Sequence, residues 1–145
     1  MPDTIHEQSK RLDFLMGETQ SVYHEATLRL GLTDSTMDVL YTLCQFNGSC
    51  PLRRIIALSG MPKQTVNSAL RKLESDGILY LESVDGRKKR ACLTEKGREL
   101  CRGTVLRLMA VEDDIYETWL PEERELYLSL TRRYLDALRE KIQEL

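Results

Sequence analysis

Residues 62–97 read PKQTVNSALRKLESDGILYLESVDGRKKRACLTEKG, and their pattern decides the fold. Pro62 opens a helix in which Val66, Ala69, Leu70 and Leu73 recur at the three- and four-residue spacing of one buried stripe. That leaves Lys63, Gln64, Thr65, Asn67, Ser68, Arg71 and Lys72 on an outward face that is polar, basic and amide-bearing. Asp76-Gly77 ends the helix, and the apolar run from Ile78 to Leu81 predicts a strand. Asp85-Gly86 is a tight-turn signal, and Ala91, Cys92 and Leu93 predict a second short strand. Between turn and strand stand Arg87, Lys88, Lys89 and Arg90, so the hairpin has a basic tip.

Upstream, Pro51 starts a short helix with Leu52, Ile55 and Ile56 inward, ending at Ser59-Gly60. Before it, Thr33 caps a helix whose stripe is Met37, Leu40 and Leu43, closed by the Asn47-Gly48 turn. Leu12, Leu15, Met16, Thr19, Val22, Tyr23 and Ala26 predict one face of a long first helix that stops at Gly31. Downstream, Thr94 caps a fifth helix through Leu100, Leu108 and Ile115, whose Gly97 lacks bulk and permits close approach of backbone. Pro121 and the acidic Glu122, Glu123 and Glu125 suit the start of a sixth helix. Its apolar residues, Tyr127, Leu128, Leu130, Tyr134, Leu135, Leu138, Ile142 and Leu145, cover more than one stripe. Such a helix buries surface against two neighbours, one of which could be a second chain. The expected fold is mainly α with a small β-hairpin, six helices in all, within one domain spanning residues 1–145.

Composition excludes several classes of function. With 41% apolar and 30% charged residues the chain is globular, and no apolar run is long enough for a membrane span. Residues 1–10 are polar where an export signal would be apolar, so a cytoplasmic, reducing environment is expected. Cys44, Cys50, Cys92 and Cys101 form no CxxC pair and no metal-finger spacing. They are expected to be free thiols packed inside; Cys92 follows Arg90, but none sits beside a cluster that would depress its pKa. His6 and His24 stand apart from any clustered ligand, so neither metal nor cofactor is expected. No Gly-rich phosphate loop, nucleophile elbow or HExxH spacing is present, and an enzymatic role is not expected.

Charge is unevenly distributed. Residues 1–52 hold three basic and seven acidic side chains, residues 53–98 eleven and five, and residues 99–145 seven and eleven. A basic middle of net +6 thus lies between two acidic ends of net −4 each. A short helix, a turn at Gly60 and a second helix with outward amides, hydroxyls and guanidinium match the donor and acceptor pattern of the DNA major groove. An ordinary helical hairpin with a solvated face would look similar. The basic hairpin that follows at once favours DNA, because its tip can reach phosphates or a narrow minor groove.

The sequence resembles the MarR family of winged helix-turn-helix transcriptional regulators. The matching residues are Leu73-Glu74-Ser75-Asp76-Gly77-Ile78-Leu79, the wing Asp85-Gly86-Arg87, and Leu93-Thr94-Glu95-Lys96-Gly97. The resemblance implies a homodimer joined through long N- and C-terminal dimerisation helices in residues 1–32 and 99–145. Residues 33–98 would form the DNA-binding lobe. It also implies a crevice that answers to a small-molecule effector, and a repressor acting on a pseudo-palindromic operator in double-stranded DNA. Carried over by position, Arg87 would enter the minor groove and Asp85 would brace the wing; Asp85 could equally serve only as a turn residue. Pro62 stands where many members have a capping Ser, which puts the cap of the recognition helix in question. Tyr23, His24, Tyr41 and Cys44 are candidates for the crevice and equally for core or interface positions. Branches that sense zinc carry His in the fifth helix, and redox-sensing branches a Cys in the first; this chain has neither. The alternatives are a winged helix that binds protein, which would need an apolar patch, or a thiol-based redox regulator.

Overall fold

The computed structural model describes residues 1–86 and 88–145, and of Val84 and Lys88 the backbone alone. In chain order the elements are α1 (Ile5–Arg29), α2 (Asp34–Gln45), β1 (Ser49–Pro51), α3 (Leu52–Ser59), α4 (Lys63–Ser75), β2 (Leu79–Val84) and β3 (Lys88–Leu93). There follow α5 (Glu95–Gly103), α6 (Val105–Glu117), α7 (Pro121–Lys141) and a final 3-10 turn, Ile142–Glu144. The chain divides into two compact units, Met1–Leu108 and Met109–Leu145.

In the first unit the core forms where the predicted stripes of α2, α3 and α4 meet. Val39, Leu40 and Leu43 of α2, Ile55 of α3 and Val66 of α4 are wholly buried, with Ala69, Leu70 and Leu73 almost so. Each buried Val, Leu or Ile contributes about 1.5–3 kcal/mol of apolar burial, so this small cluster accounts for much of what holds the lobe together. Thr33 caps α2 as the sequence predicts, its hydroxyl accepting from the Thr36 N–H at 3.3 Å. The hairpin is present, but the sheet has a third strand that periodicity does not reveal. β1 pairs with β3, Cys50 opposite Ala91, and β3 pairs with β2, Tyr80 opposite Cys92, giving the order β1-β3-β2. Three residues are too few to show alternation, and Pro51 reads as a helix start; it is both the last residue of β1 and the N-cap of α3.

The single fifth helix expected from the sequence is corrected to two. At Thr104 the backbone turns to φ −132° and ψ −89°, and its hydroxyl donates back to the Leu100 carbonyl at 2.7 Å. The Thr104 carbonyl then starts α6 by accepting from the N–H groups of Arg107 and Leu108. The Gly103-Thr104 pair, poor in helix propensity, is the local cause; the apolar period runs through it undisturbed.

The long terminal helices do not bury their apolar stripes within this chain. In α1 only Thr27 is buried, while Leu12, Leu15, Met16, Val22 and Tyr23 stay exposed. In the second unit α7 buries no residue, and Leu128, Leu130, Tyr134 and Leu138 are open. The corner between α6 and α7 is nonetheless fixed. Trp119 packs edge-on against Tyr116 and Tyr127 at centroid separations of 5.3 and 5.4 Å, and Arg124 donates to the carbonyls of Tyr116 and Trp119. Among the described residues no helix is long and apolar enough to cross a membrane.

Candidate nucleic-acid interface

Two short helices and a turn set the geometry. Gly60 ends α3 in the left-handed region at φ 68°, a conformation that costs glycine nothing. Ser59 closes the turn, its hydroxyl donating to the Ile56 carbonyl at 2.9 Å and accepting from the Met61 N–H at 3.1 Å. Pro62 is the N-cap of α4 and supplies no side-chain cap; its carbonyl accepts from the N–H groups of Thr65 and Val66 instead. Of the first-turn amides, that leaves those of Lys63 and Gln64 for whatever lies in front of the helix.

From α4, Lys63, Gln64, Thr65, Ser68 and Arg71 project into solvent and Asn67 is half-buried. Arg71 donates to the Ser68 hydroxyl at 3.3 Å, which fixes both on one face. The six residues thus share an open surface, opposite the stripe that holds α4 in the core.

In the wing, Asp85 and Gly86 form the turn, both with positive φ, 57° and 70°. That pairing matches a tight hairpin, and Asp is among the few side chains that tolerate it. Lys89 is exposed. Arg87, and the side chain of Lys88, lie outside the described residues. Arg90 differs from Lys89: it is half-buried, and its Nε donates to the Ser49 hydroxyl at 2.7 Å, tying β3 to β1. Two cations on the preceding helix escaped the sequence reading. Arg53 and Arg54 of α3 are exposed, and Arg54 stacks over the Phe46 ring at 5.0 Å. Their adjacency just after a helix-starting Pro is the signal that could have singled them out.

Residues 30–90, the stretch that builds this lobe, match the model of the MarR family. Over that stretch the chain is similar to the winged helix of the MarR family. Solved MarR family structures share the fold over nearly the whole chain. A regulator from Neisseria meningitidis aligns with a TM-score of 0.82 at 22% identity, covering 94% of this chain and 97% of that one. A transcriptional regulator from Streptomyces coelicolor, solved in complex with DNA, aligns at 0.69 and 18% identity over 95% and 92%. The PcaV regulator of Streptomyces coelicolor, in complex with its natural ligand, aligns at 0.65 and 20% identity over 95% and 99%. At these identities the likeness is one of fold. Among curated proteins nothing matches the sequence.

Beside the winged-helix lobe, still within the first unit, lies a cavity of about 270 Å³ lined by Cys44, Asn47, Gly48, Leu93, Arg98 and Cys101, among others. Of the four crevice candidates, Cys44 lines it. His24 is exposed on α1 and bonds both carboxylate oxygens of Asp34 at 2.9 and 2.8 Å, while Tyr23 is exposed and Tyr41 half-buried. The sequence reading missed Arg98 and Cys101. It also requires a correction over the thiols: the Cys101 thiol hydrogen-bonds Cys44 and holds it below its ordinary pKa, with Arg98 pulling the same way against burial. Sequence distance hid this, since 57 residues separate two sulfurs that the fold brings together. Cys50, by contrast, is pushed up by burial. Among the described residues no three His, Cys, Asp or Glu side chains converge as metal ligands.

Proposed function

We propose that the protein is a sequence-specific DNA-binding transcriptional regulator, acting as a homodimeric, ligand-responsive repressor on a pseudo-palindromic operator. The observation that carries this is the open face of α4, where Lys63, Gln64, Thr65, Asn67, Ser68 and Arg71 stand beside a basic wing. An α-helix fits the major groove, and amide, hydroxyl and guanidinium groups are the donors and acceptors that distinguish base edges there. The uncapped start of α4 adds partial positive charge toward a phosphate. Lys88 and Lys89, with Arg53 and Arg54, supply cations for the backbone; Arg87 reaches the minor groove, and Asp85 braces the wing as well as shaping its turn. The DNA-bound Streptomyces coelicolor structure supports DNA as the partner, and the ligand-bound PcaV structure supports response to a ligand.

The dimer rests on the unburied stripes of α1 and α7. Apolar stripes of that length are seldom left in water, and a second copy related by a twofold axis would cover each of them with residues from the partner. Two lobes then meet half-sites about one helical turn apart. The test is to select bound fragments from genomic DNA, then titrate the purified protein with the recovered duplex across a salt series while measuring its mass by sedimentation. The expected result is a dimer at micromolar concentration that binds the selected sequence at least ~10³-fold tighter than random duplex, with affinity falling steeply as salt rises. A monomer, or equal binding to all sequences, would refute it.

A further inference from the structure

β1 is three residues long, and its last residue, Pro51, is also the N-cap of α3, so this strand and the first helix of the helix-turn-helix move together. On its other side β1 meets β3 with Ser49 opposite Cys92, Cys50 opposite Ala91 and Pro51 opposite Arg90. Beyond Arg90 toward the wing turn, Lys89 and Lys88 pair with Ser83 and Val84 of β2 and have no β1 residue opposite them. A two-stranded ribbon is only marginally ordered in water by itself. How firmly the wing is held to the lobe is therefore decided at the last three-stranded position, which is Arg90.

The side chain there is not placed as a solvated cation. Arg90 is half-buried, its Nε donates to the Ser49 hydroxyl at 2.7 Å, and its Nη2 lies 3.5 Å from the Ser49 carbonyl oxygen. The same hydroxyl stands 3.4 Å from the Cys92 thiol, so Ser49 meets two alternate residues on one face of β3. Glu82 lies opposite Arg90 on β2, exposed and of opposite charge, yet the guanidinium goes to the neutral Ser49. A charge-assisted bond to a half-buried hydroxyl holds more firmly than an exposed ion pair.

We propose that Arg90 is a positioning residue for DNA binding: by gripping Ser49 it locks the wing to the strand that leads into α3, so that wing and recognition helix meet the duplex as one body. This role rests on the DNA reading above. Arg90 itself then touches no phosphate. It acts through the cations at the wing tip, by removing in advance the freedom that a loose wing would lose on binding.

Ser49→Ala removes the acceptor and leaves every cation in place. In the free protein, trypsin should then cut after Lys88 or Lys89 about fivefold faster or more, while cleavage after Lys63 or Arg71 keeps its natural rate, because the opening is confined to the wing. The variant should bind the selected duplex about tenfold more weakly, with the slope of log K against log salt unchanged. In an Arg87→Ala background the same substitution should cost less than about twofold, since little is left for the lock to position. Arg90→Met, which keeps the stem without the guanidinium, should match Ser49→Ala in both backgrounds and keeps the test open if that variant folds poorly. Natural affinity in Ser49→Ala, with a slope flatter by about one unit in Arg90→Met, would make Arg90 a phosphate contact and overturn the lock. Unchanged wing cleavage would overturn it too, as would an equal loss of affinity in both backgrounds, the mark of a sheet that is merely weaker. Faster wing cleavage in Ser49→Ala, with no preference of the natural protein for any duplex, would instead refute the DNA reading and leave the lock standing.

Discussion

Gly97→Ala should destabilise the protein by about 3 kcal/mol or more, a large share of the roughly 5–15 kcal/mol that holds a domain of this size. A Cβ at this position would lie 2.0 Å from the Ile78 carbonyl oxygen and 3.1 Å from Leu93 Cδ2. The carbonyl cannot withdraw. It accepts from the Thr94 N–H at 3.0 Å and from the Thr94 hydroxyl at 3.0 Å, and that hydroxyl also donates to Gly77 and accepts from the Gly97 N–H. Relief would therefore mean breaking the cap of α5 or lifting α5 off the hairpin. The check is a urea unfolding curve at fixed protein concentration. Gly17→Ala is the control, because Gly17 lies within α1 and a methyl group added there would meet nothing within 4 Å, so alanine should stabilise by up to about 1 kcal/mol. Equal midpoints for Gly97→Ala and the natural protein would show that the carbonyl yields.

The same motif marks what the sequence makes legible. Thr94 and Gly97 are readable because a helix cap and a missing side chain are local demands of the backbone, and Asp85-Gly86 is readable because few residue pairs accept two positive φ values in succession. The stripe of α4 is equally plain, since Val66, Ala69, Leu70 and Leu73 must all face one core. Other features depend on partners far along the chain. β1 exists because β3 offers an edge to it, and Arg90 leaves the basic tip for Ser49 because that edge brings a hydroxyl within reach. The Cys44 and Cys101 contact is of the same kind. The stripes of α1 and α7 show a third case: the helices form where the period places them, yet their apolar residues stay exposed in the single chain, and the period does not say what would cover them.

Asn67→Ala and Gln64→Ala should each cost about 1–3 kcal/mol of operator binding and relax the preference at particular base pairs, because an amide can bond bidentately to adenine in the major groove. Gln64 is exposed on α4 and Asn67 half-buried, and neither belongs to the buried core stripe. Arg87→Ala should act differently in kind. At the wing its guanidinium would meet the minor groove or phosphates, where the pattern of base edges is degenerate and attraction follows groove width and charge. Its loss should weaken operator and random duplex alike, flatten the slope of log K against log salt by about one unit, and alter base preference only in A-T-rich flanks. Arg87→Lys should restore the slope but only part of the affinity, since an ammonium is more strongly hydrated and lacks the planar fork. All four variants are titrated with operator and random duplex over one salt series. The amide variants should then change the ratio between the two duplexes at a constant slope, and Arg87→Ala the slope at a nearly constant ratio. If Arg87→Ala leaves both slope and affinity unchanged, the wing is not in the DNA interface, and a protein partner for the winged helix becomes the better account.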